Sequence, residues 1–284
     1  MTLKTSMPHE NPTDAPARLP QERRIVCFDM DGTLLDQDGS IHPNDAAILG
    51  SLQRPSLFIP CTGRPVQSLR RAFARNGLFR TGCIPLPLVL LNGSLLLGGN
   101  ESPLAYHPFE QAVQEELIEL AMQFRHITFW FLSEADILAQ WPNPLSDAMA
   151  AGFDFTLQPL AECHGGMRFS KIMCVSDSPS ALAELARAAA DFPVESALSL
   201  PTVLELTKKG IDKASGIAEL LQELGFAGRP VFAAGDGEND LPLFRMAARS
   251  FAPSTAPEGI RAAASELIDV SREGLLTPIL AIGE

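Results

Sequence analysis

Two apolar strands in this chain run straight into clustered acids, and no other feature restricts the fold as much. "RIVCF" (24–28) leads into Asp29 and Asp31 of "DMDGTLL", and "PVFAA" (230–234) leads into Asp236, Asn239 and Asp240 of "GDGEND". A short, continuously apolar run is the pattern of a strand covered on both faces, as in a parallel sheet flanked by helices. Carboxylates this close repel one another unless a cation or a hydrogen-bond network offsets the repulsion. Chemistry is therefore expected where these strands end.

The segments around those strands alternate in the same style. "HPNDAAILGSL" reads as a short helix capped by Asn44 or Asp45. "SLFIPCTG" (56–63) reads as a second strand, with Pro60 marking a bulge or a strand end because proline cannot donate to a ladder. "RPVQSLRRAFARNG" is a helix closed by Gly77, and "PLVLLNG" a third strand ending at Asn92. From 94 to 205 the alternation loosens. "SLLLGG" and "LAYH" suggest a hairpin, "EQAVQEELIELAMQF" a helix and "ITFWFL" a strand. "FSKIMCVS", "SPSALAELARAAADF", "VESALS" and "TVLELT" then give a strand–helix–strand–strand set. The first style resumes with "GIDKASGIAELLQELG", a helix capped by Asp212 and closed by Gly225.

The expected architecture is α/β: a doubly wound, mostly parallel, Rossmann-like core from 24–93 and 206–284, with an inserted α+β domain at 94–205. Residues 1–23, with prolines at 8, 12, 16 and 20, read as a disordered tail. In a doubly wound sheet the carboxyl ends of the strands open into one crevice. Asp29, Asp31 and Asp236 would meet there and offer the oxygen ligands that a hard divalent cation prefers. Singly, each feature has a plainer reading. Thr62 before Gly63 could cap a helix, Lys213 could be a solvated lysine, and "GDGEND" could be a surface turn. Their order, each at a strand end or helix start, carries the weight.

Composition narrows the class. The formal charge of −12 argues against nucleic acid or an anionic membrane as partner, and 46% hydrophobic with 20% charged residues suits a packed core. The apolar stretches are broken before they reach spanning length, as at Asn92-Gly93 in "PLPLVLLNGSLLLGG". Five scattered cysteines without a CxxC pair suggest a reducing, cytoplasmic compartment.

"DMDGTLL", "CTGRP", Lys213 in "KKGIDKASG" and "GDGENDLPLF" resemble, in order, the four motifs of the haloacid dehalogenase superfamily of phosphatases. The long insert resembles the large cap of its Cof-type branch, and "LLNGSLL" that branch's junction between core and cap. Two departures stand out: Pro60-Cys61 before Thr62, and "SFAPSTAPEGIR" after the last motif. The resemblance implies a Mg²⁺-dependent hydrolase of small phosphorylated metabolites, sugar phosphates above all. Asp29 would be the nucleophile forming an aspartyl-phosphate, and Asp31 the general acid and base. Asp29, the Asp31 backbone carbonyl and Asp236 would hold Mg²⁺. Thr62, Gly63, Arg64, Asn92, Lys213 and Asn239 would bind the phosphoryl group, with Asp240 in support. The insert would choose the substrate, with Phe129, Trp130, Trp141, His107, His164 and Arg168 as candidate pocket groups. The competing readings are a phosphotransferase or phosphomutase using the same aspartate, a DxD glycosyltransferase, and a retired scaffold that only binds ligand.

Overall fold

The computed structural model describes residues 24–51, 56–80, 82–162 and 168–282. The proline-spaced tail and His164 lie outside them. The first half of the core comprises β1 (Ile25–Phe28), α1 (Pro43–Gly50), β2 (Leu57–Pro60), α2 (Val66–Arg75) and β3 (Leu88–Leu90). β4 (Leu95–Leu97) and β5 (Pro103–Tyr106) follow as the expected hairpin, and this hairpin pairs onto β3 in a three-stranded antiparallel sheet. Its Leu96 joins the apolar cluster of Ile25 and Cys27.

Next come α3 (Gln111–Gln123), β6 (Thr128–Ser133), β7 (Ile137–Gln140), α4 (Pro144–Gly152), β8 (Leu157–Pro159), β9 (Phe169–Val175), α5 (Pro179–Ala189), β10 (Val194–Leu200) and β11 (Val203–Lys208). The chain then returns with α6 (Lys213–Glu223), β12 (Val231–Ala234), α7 (Leu241–Met246), β13 (Arg249–Pro253), α8 (Glu258–Ala263), β14 (Glu266–Ile268), α9 (Val270–Glu273) and α10 (Leu276–Ala281).

The core sheet is parallel in the order β14-β13-β12-β1-β2, and a bridge from Cys61 to Val89 extends it to β3. Winding starts at β1, runs outward through β2 to β3, and resumes on the other side at β12. β1 and β12 are thus neighbours at the point where winding reverses, where ligands bind in open α/β sheets. The alternation of side chains explains the fully apolar strands. Val26 and Phe28 pack with Leu69 and Phe73 of α2, whereas Ile25 and Cys27 pack with Ile217 and Leu220 of α6. Pro60 is the last residue of β2, paired opposite Phe28, so it marks a strand end.

The insert is built on a six-stranded sheet in the order β10-β11-β9-β6-β7-β8, antiparallel except between β7 and β8. One face, with Phe129, Phe131 and Ile172, is covered by α3 and α5. The other face, with Trp130, Met173 and Val203, joins the cluster that contains α2 and Leu91. β7, α4 and β8 had no counterpart in the sequence reading. Pro142 and Pro144 flank Asn143, which caps α4 in a capping box with Ser146.

One expected cap is also corrected. α1 is capped by His42, two residues before Asn44, with Pro43 at its first position and the His42 Nδ1 accepting the Asn44 amide. Asp45 is fully buried and accepts the backbone amides of Leu275 and Leu276 at 2.7 and 2.8 Å, so it ties α1 to the last helix. Among the described residues, no helix is long and apolar enough to cross a membrane.

Candidate active site

Strand pairing places the two acidic turns side by side. Phe28 lies opposite Ala234, and the Asp29 amide donates to the Ala234 carbonyl at 2.9 Å. Asp29 leaves β1 there, and Asp236 lies two residues beyond β12. The loop after β1 crosses close to Asp236: Thr33 Oγ1 donates to Asp236 Oδ1 at 2.9 Å. Gly32 has φ +74, and a Cβ on it would lie 2.2 Å from Asp236 Oδ2. Only glycine permits both that backbone turn and that approach.

Lys213, the first residue of α6, is fully buried and bridges the site. Its Nζ lies 2.9 Å from Asp29 Oδ1 and 2.6 Å from Asp240 Oδ1. The other Asp240 oxygen accepts the amides of Asp236 and Gly237, each at 3.0 Å. Asp240 thereby folds the acidic turn and aims the lysine. The start of α6 reaches this depth because Gly93 and Gly216 face each other. A Cβ on Gly216 would lie 2.8 Å from Gly93 Cα, and one on Gly93 would lie 2.1 Å from the Asp212 carbonyl.

The electrostatics follow from burial. Desolvation pushes the Asp29 carboxyl up to about 8, reinforced by Asp240, Asp236 and Asp31 and only partly opposed by Lys213. Asp236 is pushed up to about 6, again mainly by burial and against the Thr33 hydrogen bond. Burial works to lower Lys213, but Asp240 and Asp29 outweigh it and hold the ammonium protonated. Carboxylate oxygens of Asp29, Asp236 and Asp240 all lie within 4.8 Å of one another. Asp240 has both oxygens committed, which leaves Asp29 and Asp236 as hard, charge-crowded donors. That donor set fits a divalent metal cation.

Asp31 is placed differently. Its side chain is 45% exposed, and Arg64 grips it through Nε to Oδ2 at 2.7 Å and Nη2 to Oδ1 at 2.5 Å. The Arg64 guanidinium, expected on the phosphoryl group, also binds Ser68 Oγ at 2.8 Å and lies over the face of the Phe153 ring. Asn92, also expected on the phosphoryl group, has a partner within the chain. It has φ +56, and its Nδ2 donates to Glu205 Oε2 at 2.6 Å, toward the insert. Thr62 is buried beside these groups. Its carbonyl accepts the Asn92 amide at 3.1 Å, and its Oγ1 accepts the Arg64 amide at 3.2 Å. Asn239 is half-buried on the acidic turn.

Of the expected pocket groups, Phe129 and Trp130 are core residues. Trp141 is half-buried against Arg125, His107 pairs with Glu219 of α6 at 2.8 Å, and Arg168 is exposed. The sequence reading missed Thr33, Ser68, Lys171, Glu205 and Phe153. Lys171 and Glu205 did carry a signal: each is a charge set among buried apolar residues of a strand, in "FSKIMCVS" and "TVLELT".

A family model described as haloacid dehalogenase-like hydrolase matches residues 26–276, most of the chain. The chain belongs to that family. This haloacid dehalogenase-like hydrolase is 36% identical over 257 residues to a phosphoglycolate phosphatase of Methanopyrus kandleri, covering 89% of this chain and 94% of that protein. Its fold matches a Thermotoga maritima structure with TM-score 0.77 at 22% identity, covering 92% of this chain and 98% of the other. A sugar phosphatase of the haloacid dehalogenase subclass IIB matches with TM-score 0.74 at 19% identity, over 90% and 98% of the two chains.

Proposed function

We propose that the protein hydrolyses small phosphomonoesters, sugar phosphates foremost, in a Mg²⁺-dependent reaction through an aspartyl-phosphate on Asp29. The observation that carries this reading is the buried Lys213 ammonium held between Asp29 and Asp240, with Asp236 alongside. A carboxylate at a strand end, backed by a fixed cation, is placed to attack phosphorus while its charge is partly offset. Asp29, Asp236 and the Asp31 carbonyl would hold Mg²⁺, which when bound shields the nucleophile from the phosphoryl charge.

Lys213 and the Thr62 hydroxyl hold phosphoryl oxygens, with the Gly63 amide and Asn239 on the same rim. Asp31 gives a proton to the leaving alkoxide and then takes one from the attacking water. Arg64 keeps Asp31 oriented for both steps. Asp240 positions Lys213 and the acidic turn. The insert, 94–205, acts as a cap over the strand ends, with the hairpin 95–106 riding on the core. A small phosphorylated metabolite in the cytoplasm is the natural substrate.

The names of the relatives, phosphoglycolate phosphatase and sugar phosphatase, support the phosphomonoester class. The test is Asp29→Asn, which keeps shape and loses the anionic nucleophile. Hydrolysis of p-nitrophenyl phosphate should fall by about 10³-fold or more. A near-native rate would refute the assignment.

A further inference from the structure

Three polar side chains that the phosphoryl chemistry leaves unused meet beside Gly63. Lys171 comes from β9 and Glu205 from the adjacent β11, and Asn92 follows β3. Lys171 Nζ lies 2.9 Å from Glu205 Oε1 and 3.3 Å from the Gly63 carbonyl, which it reaches as a donor. Asn92 Nδ2 donates to Glu205 Oε2. The three residues are only 1%, 7% and 6% exposed.

The carboxylate settles which way the Asn92 amide faces, because Oδ1 in place of Nδ2 would set two acceptors against each other. Asn92 Oδ1 is then a buried acceptor without a hydrogen-bond partner. An ammonium has three N–H bonds, and Lys171 uses two of them on Glu205 and Gly63. A Cβ on Gly63 would lie 2.7 Å from Lys171 Nζ and 2.8 Å from Asn92 Oδ1. One unspent donor and one unmet acceptor therefore lie together against the bare α-carbon of Gly63, next to the loop of Thr62. A buried acceptor left unmet is costly. The group that satisfies both atoms at once is one that donates and accepts.

We propose that Lys171, Glu205 and Asn92 form a hydroxyl-recognition subsite, selecting phosphomonoesters whose leaving group carries a free hydroxyl close to the ester oxygen. This rests on the phosphatase reading above. The substrate hydroxyl donates to Asn92 Oδ1 and accepts from Lys171 Nζ, while Glu205 holds both in place. A carboxylate in that position has no proton for Asn92 Oδ1 and faces an ionised Glu205. Burial works to raise the Glu205 carboxyl, but Lys171 and the hydrogen bonds around it keep it below its usual range. Sites built to hydrogen-bond a hydroxyl reject analogues that lack it more strongly than apolar pockets discriminate size.

The experiment compares kcat/KM of the full chain with Mg²⁺ on glycerol 1-phosphate, ethyl phosphate and phosphoglycolate. Glycerol 1-phosphate should be preferred over both by about tenfold or more. Two variants then remove the subsite. Lys171→Met combined with Glu205→Leu leaves no buried charge unpaired, and Asn92→Gly tolerates the positive φ. In each, the preference should fall to about threefold or less. A loss by one common factor on all three esters would overturn the subsite, as would a wild-type preference for phosphoglycolate. Should both variants fail to fold, the wild-type ratios decide alone, and ratios near one overturn it. Absence of turnover on any ester would instead refute the phosphatase reading, and the subsite with it.

Discussion

Arg64 holds both carboxylate oxygens of Asp31, and the other side of the same guanidinium is fastened to the insert. Its Nη1 donates to Ser68 Oγ at 2.8 Å, and Ser68 Oγ donates to the Phe153 carbonyl at 2.6 Å. Further along α2, Gln67 donates to the Ala135 carbonyl at 2.8 Å, and Arg71 and Arg75 both bind Asp154. An exposed ion pair contributes little to stability by itself. This one is bidentate and its arginine is buried, so its consequence is orientation. The proposed proton donor is thus set by how the insert sits on α2.

If Arg64 acts through Asp31, Arg64→Ala should slow alkyl phosphates by about tenfold to a hundredfold in kcat. The loss should be much smaller on p-nitrophenyl phosphate, whose leaving group needs little protonation. Steady-state rates on the two esters check this. Equal losses would show that Arg64 serves only packing.

Lys213→Met should abolish turnover and also weaken the fold. Removing the ammonium strands Asp240, which is fully buried, against Asp29. Breaking a buried pair in this way costs about 3–5 kcal/mol. Urea denaturation should register that loss, and the double variant Lys213→Met, Asp240→Asn should recover part of it. No recovery would mean that Asp240 is not the stranded charge.

Mg²⁺ should stabilise the protein more at high pH than at low. Asp29, at about 8, and Asp236, at about 6, both lie above the ordinary unfolded value of about 4. A raised carboxyl contributes its stability fully below the unfolded value, and loses it as pH climbs through the folded one. The metal-free protein therefore becomes less stable between about pH 4 and about pH 8 on account of these two groups. A bound cation offsets the same repulsion, so the rise in Tm on adding Mg²⁺ should be larger at pH 8 than at pH 5. Thermal melts with Mg²⁺ and with EDTA test it; a metal effect independent of pH would contradict the assignment of both carboxylates.

Asp45→Ala should destabilise the fold without touching the chemistry. The substitution leaves the Leu275 and Leu276 amides buried and unpaired, at about 1–3 kcal/mol each before relaxation. Chemical denaturation measures the loss, and kcat on p-nitrophenyl phosphate at a temperature where the variant is folded should match wild type. A change in kcat would show that the α1 contact reaches the site.

Asp29, Asp31, Thr62, Lys213 and Asp236 were legible because covalent neighbourhood places them. Each lies within three residues of a strand end or at a helix start, and the parallel winding that apolar runs demand gathers those ends in one crevice. Asp212 as a cap, and Gly77 and Gly225 as helix stops, were legible for a similarly local reason: the backbone groups concerned are satisfied within a few residues. Arg64 and Asn92 were found, but their partners were not. Arg64 meets Asp31 from 33 positions away and Asn92 meets Glu205 from 113, and periodicity carries no record of such pairings. The α1 cap failed for the same reason, since Asp45 was claimed by amides 230 positions downstream. Local pattern determines which residues stand at the ends of elements, because it acts through spacing along the chain. Tertiary packing alone decides which charges those residues face, because burial forces each polar group to find its partner in whatever element lies against it.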